Sequence, residues 1–98
     1  MSLLVEYHLK NGQSDAQIAA LKTFTEGLKS EGCDGFSYTA FATDDATKFV
    51  ALFLFDDDAG KQRFLGSKSF AKYRDEAGPR FTGPPSTTPL TLVASTKD

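Results

Sequence analysis

The sequence predicts an α+β fold of the ferredoxin-like class, with the order βαββαβ and a four-stranded antiparallel sheet. Three observations predict it. Residues 3–10 and 36–43 alternate between apolar and polar side chains, as strands with one covered face do. The run from Lys48 to Phe55 lacks a polar face, as expected for a central strand. Helical patterns follow the first and third of these strands, so both helices are expected on one face of the sheet.

Composition limits the function classes. The 98 residues are 40% apolar, which suits one domain over residues 1–98. The net charge of −2 and the absence of a basic run disfavour nucleic acid as a partner. The longest apolar run, Phe49 to Phe55, is too short to span a membrane, and no leading segment resembles a signal peptide. With a single cysteine, Cys33, no intramolecular disulfide can form, and we expect a cytoplasmic protein.

The first strand and helix are the clearest elements. One strand face carries Leu3, Val5, Tyr7 and Leu9, and the other carries Leu4, Glu6, His8 and Lys10. After the turn at 11–12, Ser14 and Gln17 have the spacing of a capping box that opens a helix. The apolar stripe of this helix is formed by Ile18, Leu21, Phe24 and Leu28. The helix is expected to end near Gly32, which suits a C-cap.

The middle of the chain predicts a hairpin and a second helix. Residues 36–43 and 48–55 are expected to pair across the turn at 44–47. The three aspartates at 56–58 suit the N-terminus of a helix, where exposed amides favour negative charge, and a metal site is the alternative. Gly66 interrupts the helical pattern, and Ser67 can cap a second helical piece that runs to about Ala77.

The end of the chain predicts a loop and a last strand. Residues 78–89 contain four prolines and two glycines, so we expect a loop there, which either covers a pocket mouth or bridges to the next strand. Residues 90–96 return to alternation and predict the fourth strand.

The sheet face away from the helices is expected to be apolar. It would carry Leu4, Val50, Leu52 and Leu54, with Val93 as a further candidate. Because such a face is poorly suited to water, the sequence predicts a homodimer in which a second copy covers it.

Three segments resemble the antibiotic biosynthesis monooxygenase superfamily, whose members are dimeric α+β barrels. Residues 5–12 look like the first strand of that family and its turn. Residues 31–36, Glu-Gly-Cys-Asp-Gly-Phe, match its Glu-Gly-Cys-x-x-aromatic element. Residues 64–70, Phe-Leu-Gly-Ser-Lys-Ser-Phe, look like its His-Leu-x-Ser-x-x-Phe element.

The resemblance implies a homodimer with a pocket between each sheet and its helices. Some members oxidise quinols or polycyclic phenols with oxygen and without metal or flavin, so no cofactor is expected. This chain departs from the family at two positions. The usual tryptophan near the end of the third strand is Phe55, and the common histidine of the second helix is Phe64. An aromatic lining therefore replaces the polar groups best suited to proton transfer.

The candidate catalytic residues are His8, Glu6 and Tyr73. His8 is the only imidazole, the side-chain type best suited to act as a base near neutral pH, and Glu6 shares its strand face. An ordinary surface or interface pair is the alternative for these two residues. Cys33 follows a helix C-terminus, which does not favour a thiolate, so we expect a buried structural thiol.

An aromatic pocket is the candidate substrate site. The predicted lining residues are Tyr7, Phe53, Phe55, Phe64 and Phe70. Plain core packing is the alternative, and only an observed cavity separates the two. The sequence contains no GxGxxG, P-loop, CxxC or Ser-His-Asp pattern, so nucleotide, zinc and hydrolase functions lack support.

Overall fold

The computed structural model describes residues 2–32 and 34–96. Cys33, which is predicted to be a buried thiol, lies outside these residues. The strands are β1 (Ser2–His8), β2 (Phe36–Ala42), β3 (Lys48–Phe55) and β4 (Ser86–Leu90). The helices are α1 (Ser14–Glu31), α2 (Asp58–Leu65) and α3 (Lys68–Ala77), and a 3₁₀ turn spans Gly78–Arg80. This order confirms the predicted βαββαβ class.

The four strands form one antiparallel sheet in the order β2-β3-β1-β4. The central position of β3 confirms the expectation from its apolar sequence. Val5 pairs with Ala51 and Tyr7 with Phe49, which places these side chains on the face that the helices cover. Leu4 pairs with Leu52 on the opposite face, as predicted. The sheet therefore has one face in the core and one apolar face without a covering element among the described residues.

Helix α1 packs on the sheet through the predicted stripe, but its predicted cap is wrong. Leu21, Phe24 and Leu28 are buried. The N-cap residue is Gln13 and makes no side-chain cap hydrogen bond. Gln17 is fully buried and bonds to tyrosine hydroxyls of the sheet and of α3 instead. Tertiary partners thus replace the local capping box at this residue.

The segment between α1 and β2 depends on two glycines in the left-handed region. Gly32 (φ 66°) ends α1, and Gly35 (φ 86°) turns the chain into β2. The Gly35 carbonyl accepts a hydrogen bond from the Asp56 amide at 2.9 Å. It also lies directly against Gly60 of α2, where a Cβ atom would collide with it. The start of α2 can therefore approach this turn only because residue 60 has no side chain.

The break between α2 and α3 is confirmed, and its caps explain two sequence motifs. Asp57 caps α2 by accepting from the Gly60 amide, and Ser67 caps α3 by accepting from the Phe70 amide at 3.1 Å. The carboxylate of Glu31 accepts from the Ser67 hydroxyl at 2.9 Å and from the Lys68 and Ser69 amides at 3.1 Å. The Glu-Gly pair at residues 31–32 and the Gly-Ser pair at residues 66–67 are therefore in contact in the folded chain.

Glu31→Gln is expected to flatten the acid side of the stability profile. The hydrogen bonds from residues 67–69 lower the pKa of Glu31 from its ordinary 4.5 to about 2. Because the folded-state pKa is the lower one, this contribution is complete above about pH 4.5 and is lost as the pH falls toward 2. Thermal unfolding across that range measures it, with Glu26→Gln as the control on the same helix. If wild type and Glu31→Gln lose stability equally steeply as the pH falls, the hydrogen bonds to the Glu31 carboxylate do not stabilise the fold.

The position of the last strand was predicted wrongly. Residues 86–90 form β4, and residues 90–96 do not form the predicted strand. Proline and threonine made residues 86–89 look like a loop, but β4 is an edge strand, where the missing amide of Pro89 is tolerated. The bridge from Leu9 to Phe81 and the bond from the Thr82 amide to the His8 carbonyl hold the preceding loop against β1.

Within residues 2–32 and 34–96, no helix has both the length and the apolar character needed to cross a membrane.

Candidate aromatic binding cavity

A cavity of about 420 Å³ lies between the sheet and the helices α2 and α3. The sheet supplies residues from β1, β2, β3 and β4, and the other walls come from α1, α2, α3 and the segment before β4. Six of the aromatic residues singled out in the sequence line it, namely Tyr7, Phe53, Phe55, Phe64, Phe70 and Tyr73. The structure thus leaves a space of ligand size where these rings meet.

Phe64 is the centre of the aromatic wall. It is 1% exposed, and its ring centroid lies 4.9–6.2 Å from six other rings. Those rings belong to Phe24, Phe36, Tyr38, Phe53, Phe55 and Phe70. Several of these pairs are edge to face, the geometry that aromatic quadrupoles favour. The wall is therefore preformed and presents flat apolar surfaces to the cavity.

A buried amide joins the two tyrosines of the cavity. Gln17 donates from Nε2 to the Tyr7 hydroxyl at 2.9 Å and to the Tyr73 hydroxyl at 2.7 Å. The guanidinium of Arg80 donates from Nη1 to Gln17 Oε1 at 3.4 Å. Since a guanidinium has only donors, it fixes which end of the amide faces the tyrosines. Gln17 thereby holds both hydroxyls in place.

The hydroxyls of Tyr7 and Tyr38 stay protonated at physiological pH. Burial raises the pKa of Tyr7 well above its ordinary value of 10, and the nearby Tyr73 raises it further. Burial, with a smaller effect of Tyr73, also raises the pKa of Tyr38. Neither hydroxyl is poised to act as a base near pH 7, because the phenolate form is disfavoured.

Two charged residues line the cavity. Among the described residues that line it, the charged ones are Lys61 of α2 and Arg74 of α3. The Arg74 guanidinium carbon lies 5.5 Å from the centroid of the Phe70 ring, and Phe70 itself lines the cavity. Leu65, which is exposed, also lines the cavity.

His8 and Glu6 lie on the other face of the sheet. Lys48 pairs with His8 across the strands and makes an ion pair with Glu6 at 3.6 Å. The His8 side chain is exposed and close to the loop at 82–84. Of the three candidate catalytic residues, the structure brings only Tyr73 to the aromatic cavity. The catalytic roles of all three remain predictions.

Gln17 and Arg80 are among the site residues that sequence reasoning missed. Gln17 was interpreted as part of a helix cap, and Arg80 as part of a loop. A glutamine one position before Ile18, at the edge of the apolar stripe, was the available signal. The spacing from Gln17 to Leu21, Phe24 and Leu28 places its side chain on the buried side of α1.

The architecture is shared with known structures. One is described as an antibiotic biosynthesis monooxygenase and superposes with a TM-score of 0.80 at 14% identity, covering 95% of this chain and 98% of its own. A candidate antibiotic biosynthesis monooxygenase from Bacteroides thetaiotaomicron superposes with a TM-score of 0.86 at 16% identity, covering 100% and 93%. The chain has the antibiotic biosynthesis monooxygenase fold.

Sequence similarity is much weaker than this structural agreement. A Nitrosomonas europaea protein of unknown function shares the same fold at 22% identity and a TM-score of 0.79, covering 99% of this chain and 92% of its own. No protein-family model and no curated protein sequence matches the chain. The antibiotic biosynthesis monooxygenase fold is therefore established here by the backbone, and the chemistry of the site must be inferred from its own residues.

Proposed function

We propose that this protein binds a small phenol-, quinol- or anthrone-type aromatic compound in the cavity and promotes its oxidation by oxygen. The observation that carries this proposal is the 420 Å³ space lined by preformed aromatic rings and backed by two fixed tyrosines. Flat apolar walls suit a fused ring system, and the tyrosine edge gives it a polar contact. The fold, shared with proteins named for monooxygenase activity, supports the same reaction class.

The proposed reaction needs no oxidant other than oxygen. An anthrone-type ring CH₂ loses a proton, and the resulting carbanion gives electrons to O₂ and forms a C–O bond. The peroxide anion so formed takes up a proton from solvent and becomes a hydroperoxide. Loss of water from the hydroperoxide leaves a ring carbonyl, so one oxygen atom enters the product and the other leaves in water. Removal of the first proton controls the reaction, because only the electron-rich anion reacts with oxygen.

The protein's part in this scheme is binding and orientation. Tyr73 contacts the substrate, and Tyr7 and Gln17 keep the Tyr73 hydroxyl fixed. No carboxylate or imidazole belongs to the described lining, and the raised pKa of Tyr7 keeps that group protonated. The substrate would therefore lose its proton to solvent, and oxidation would be slow and faster at higher pH. His8 and Glu6, on the opposite sheet face, take no part in this proposal.

The same observation favours a second candidate function, noncatalytic binding of an aromatic molecule. A site without a suitable base can hold a ligand without transforming it. An enzyme would raise oxygen uptake above the protein-free rate, whereas a noncatalytic binder would not. Affinity for the ligand does not distinguish the two.

A combined binding and oxygen-uptake assay tests the proposed function. With 1,8-dihydroxyanthrone in excess, the melting temperature is expected to rise by mass action. Oxygen uptake is expected to exceed the protein-free rate modestly and to increase with pH. Tyr73→Phe should lower this excess severalfold, while His8→Ala, on the other sheet face, should leave it unchanged.

Three results would separate the alternatives in that assay. Stabilisation without extra oxygen uptake would leave the protein a binder. Failure of anthrones, quinols and naphthols to bind would overturn both functions. Rapid uptake that survives Tyr73→Phe together with His8→Ala would show that the reaction occurs elsewhere.

We also propose that the protein forms a homodimer through the sheet face opposite the helices. Phe41, Leu54 and Leu90 on this face are 49%, 43% and 39% exposed, and Leu4 and Leu52 are only half-buried. A second copy of the same face would remove these side chains from water. Light scattering at micromolar concentration is expected to give twice the chain mass of 10.6 kDa. A stable monomer would contradict the dimer.

A further inference from the structure

The cavity combines an apolar interior with two cationic side chains. Lys61 and Arg74 come from different helices, and both line the cavity. No aspartate or glutamate is among the described lining residues. The whole chain has a net charge of −2. The positive charge of the cavity lining is therefore a local feature and does not reflect a generally basic surface.

The charge of Arg74 is only weakly compensated. Its Nε lies 3.7 Å from Asp75 Oδ1, and both side chains are mostly exposed, so water screens this ion pair. The contact with the Phe70 ring holds the guanidinium above one wall of the cavity. The remaining N–H groups of the guanidinium are suited to a planar carboxylate.

Lys61 adds a second positive charge to the cavity lining. Its side chain is half-buried, which is typical of a lysine whose stem packs along apolar surface while its ammonium group reaches water. Within residues 2–32 and 34–96, it makes no ion pair. An anionic group beside them would therefore meet two cations and no competing acid of the lining.

We propose that Lys61 and Arg74 make the cavity selective for aromatic compounds that carry a carboxylate. The ring system occupies the aromatic interior, and the carboxylate lies between the two cations. This inference rests on the proposed function, because it specifies the substrate class of the same cavity. It also fits the proposed chemistry, since positive charge near the ring favours ionisation of the bound substrate.

A matched ligand pair tests the selectivity. The probes are 2-naphthol and 3-hydroxy-2-naphthoate, which share a hydroxynaphthalene ring and differ by the carboxylate. Calorimetric titration at low ionic strength is expected to give at least tenfold tighter binding of the naphthoate. The tighter binding of the naphthoate should become less marked when the salt concentration is raised to about 0.3 M, because mobile ions screen exposed charges.

Variants locate the source of the selectivity. The double variant Lys61→Met, Arg74→Met should bind the naphthoate about tenfold more weakly than wild type, and its affinity for naphthol should change less than twofold. Lys72→Met is the control, because Lys72 lies on α3 but lines a separate groove between α1 and α3. Melting curves of the variants check that the fold is retained.

The possible outcomes distinguish the inference from the function on which it rests. Equal affinity for the two probes would overturn the selectivity while leaving the aromatic site intact. A naphthoate preference that survives the double variant, or that is lost in Arg80→Met instead, would also overturn it. Binding of neither probe would overturn both the selectivity and the proposed function.

Discussion

Replacing Phe64 with alanine is expected to lower the free energy of unfolding by about 3–5 kcal/mol. The side chain is 1% exposed and touches rings from α1, β2, β3 and α3. Its removal would leave a void that joins the existing cavity and would take away the contacts that hold the surrounding rings. Urea unfolding measures the effect.

Leu92→Ala is the matched control for Phe64→Ala. Leu92 is 77% exposed, so its truncation is expected to change the free energy of unfolding by less than about 0.5 kcal/mol. If Phe64→Ala lowers the free energy of unfolding by less than about 1 kcal/mol, the surrounding rings close the void with little loss of stability. The ring would then not be the structural centre of the cavity.

Gly60→Ala is expected to destabilise the fold by about 1–3 kcal/mol or more, despite the better helix propensity of alanine. A Cβ atom at residue 60 would collide with the Gly35 carbonyl, and the Gly35 carbonyl carbon would lie 2.7 Å away. The colliding atoms belong to the backbone, so no side-chain rotation can relieve the contact. Helix α2, which carries Lys61 and Phe64, would have to shift.

Gly83→Ala provides the comparison for Gly60→Ala. Gly83 does not have a positive φ, and no atom lies within 4 Å of a Cβ atom placed there. Its replacement should be neutral or slightly stabilising, because alanine reduces the entropy of the unfolded chain. If both variants unfold at the same urea concentration, the close approach of α2 to the turn at Gly35 is not a constraint.

Most of the fold could be predicted from the sequence because its signals are local. The alternation in β1, the apolar stripe of α1 and the caps at Asp57 and Ser67 depend on residues close in sequence. Local spacing failed where tertiary structure decided the outcome. Residues 86–90 join the sheet because β1 offers a free edge to pair with, and no pattern inside that segment indicates this.

The candidate site was predicted in part for the same reason. Strand parity and helix period predicted that Tyr7, Phe64 and Tyr73 converge, and all three line the cavity. The contacts of Gln17 with Tyr73 and Arg80 span 56 and 63 residues, so no spacing rule could find them. Whether converging rings fill or surround a space depends on packing distances, which a sequence does not specify.

The central claim is that an aromatic ligand binds between the sheet and the helices. Its most direct test is an NMR measurement of intermolecular nuclear Overhauser effects between 2-naphthol and the protein with labelled Phe and Tyr rings. The expected contacts are to Phe53, Phe64 and Tyr73, which line the cavity. Contacts confined to the opposite sheet face near His8, or no contacts at saturating naphthol, would contradict the claim.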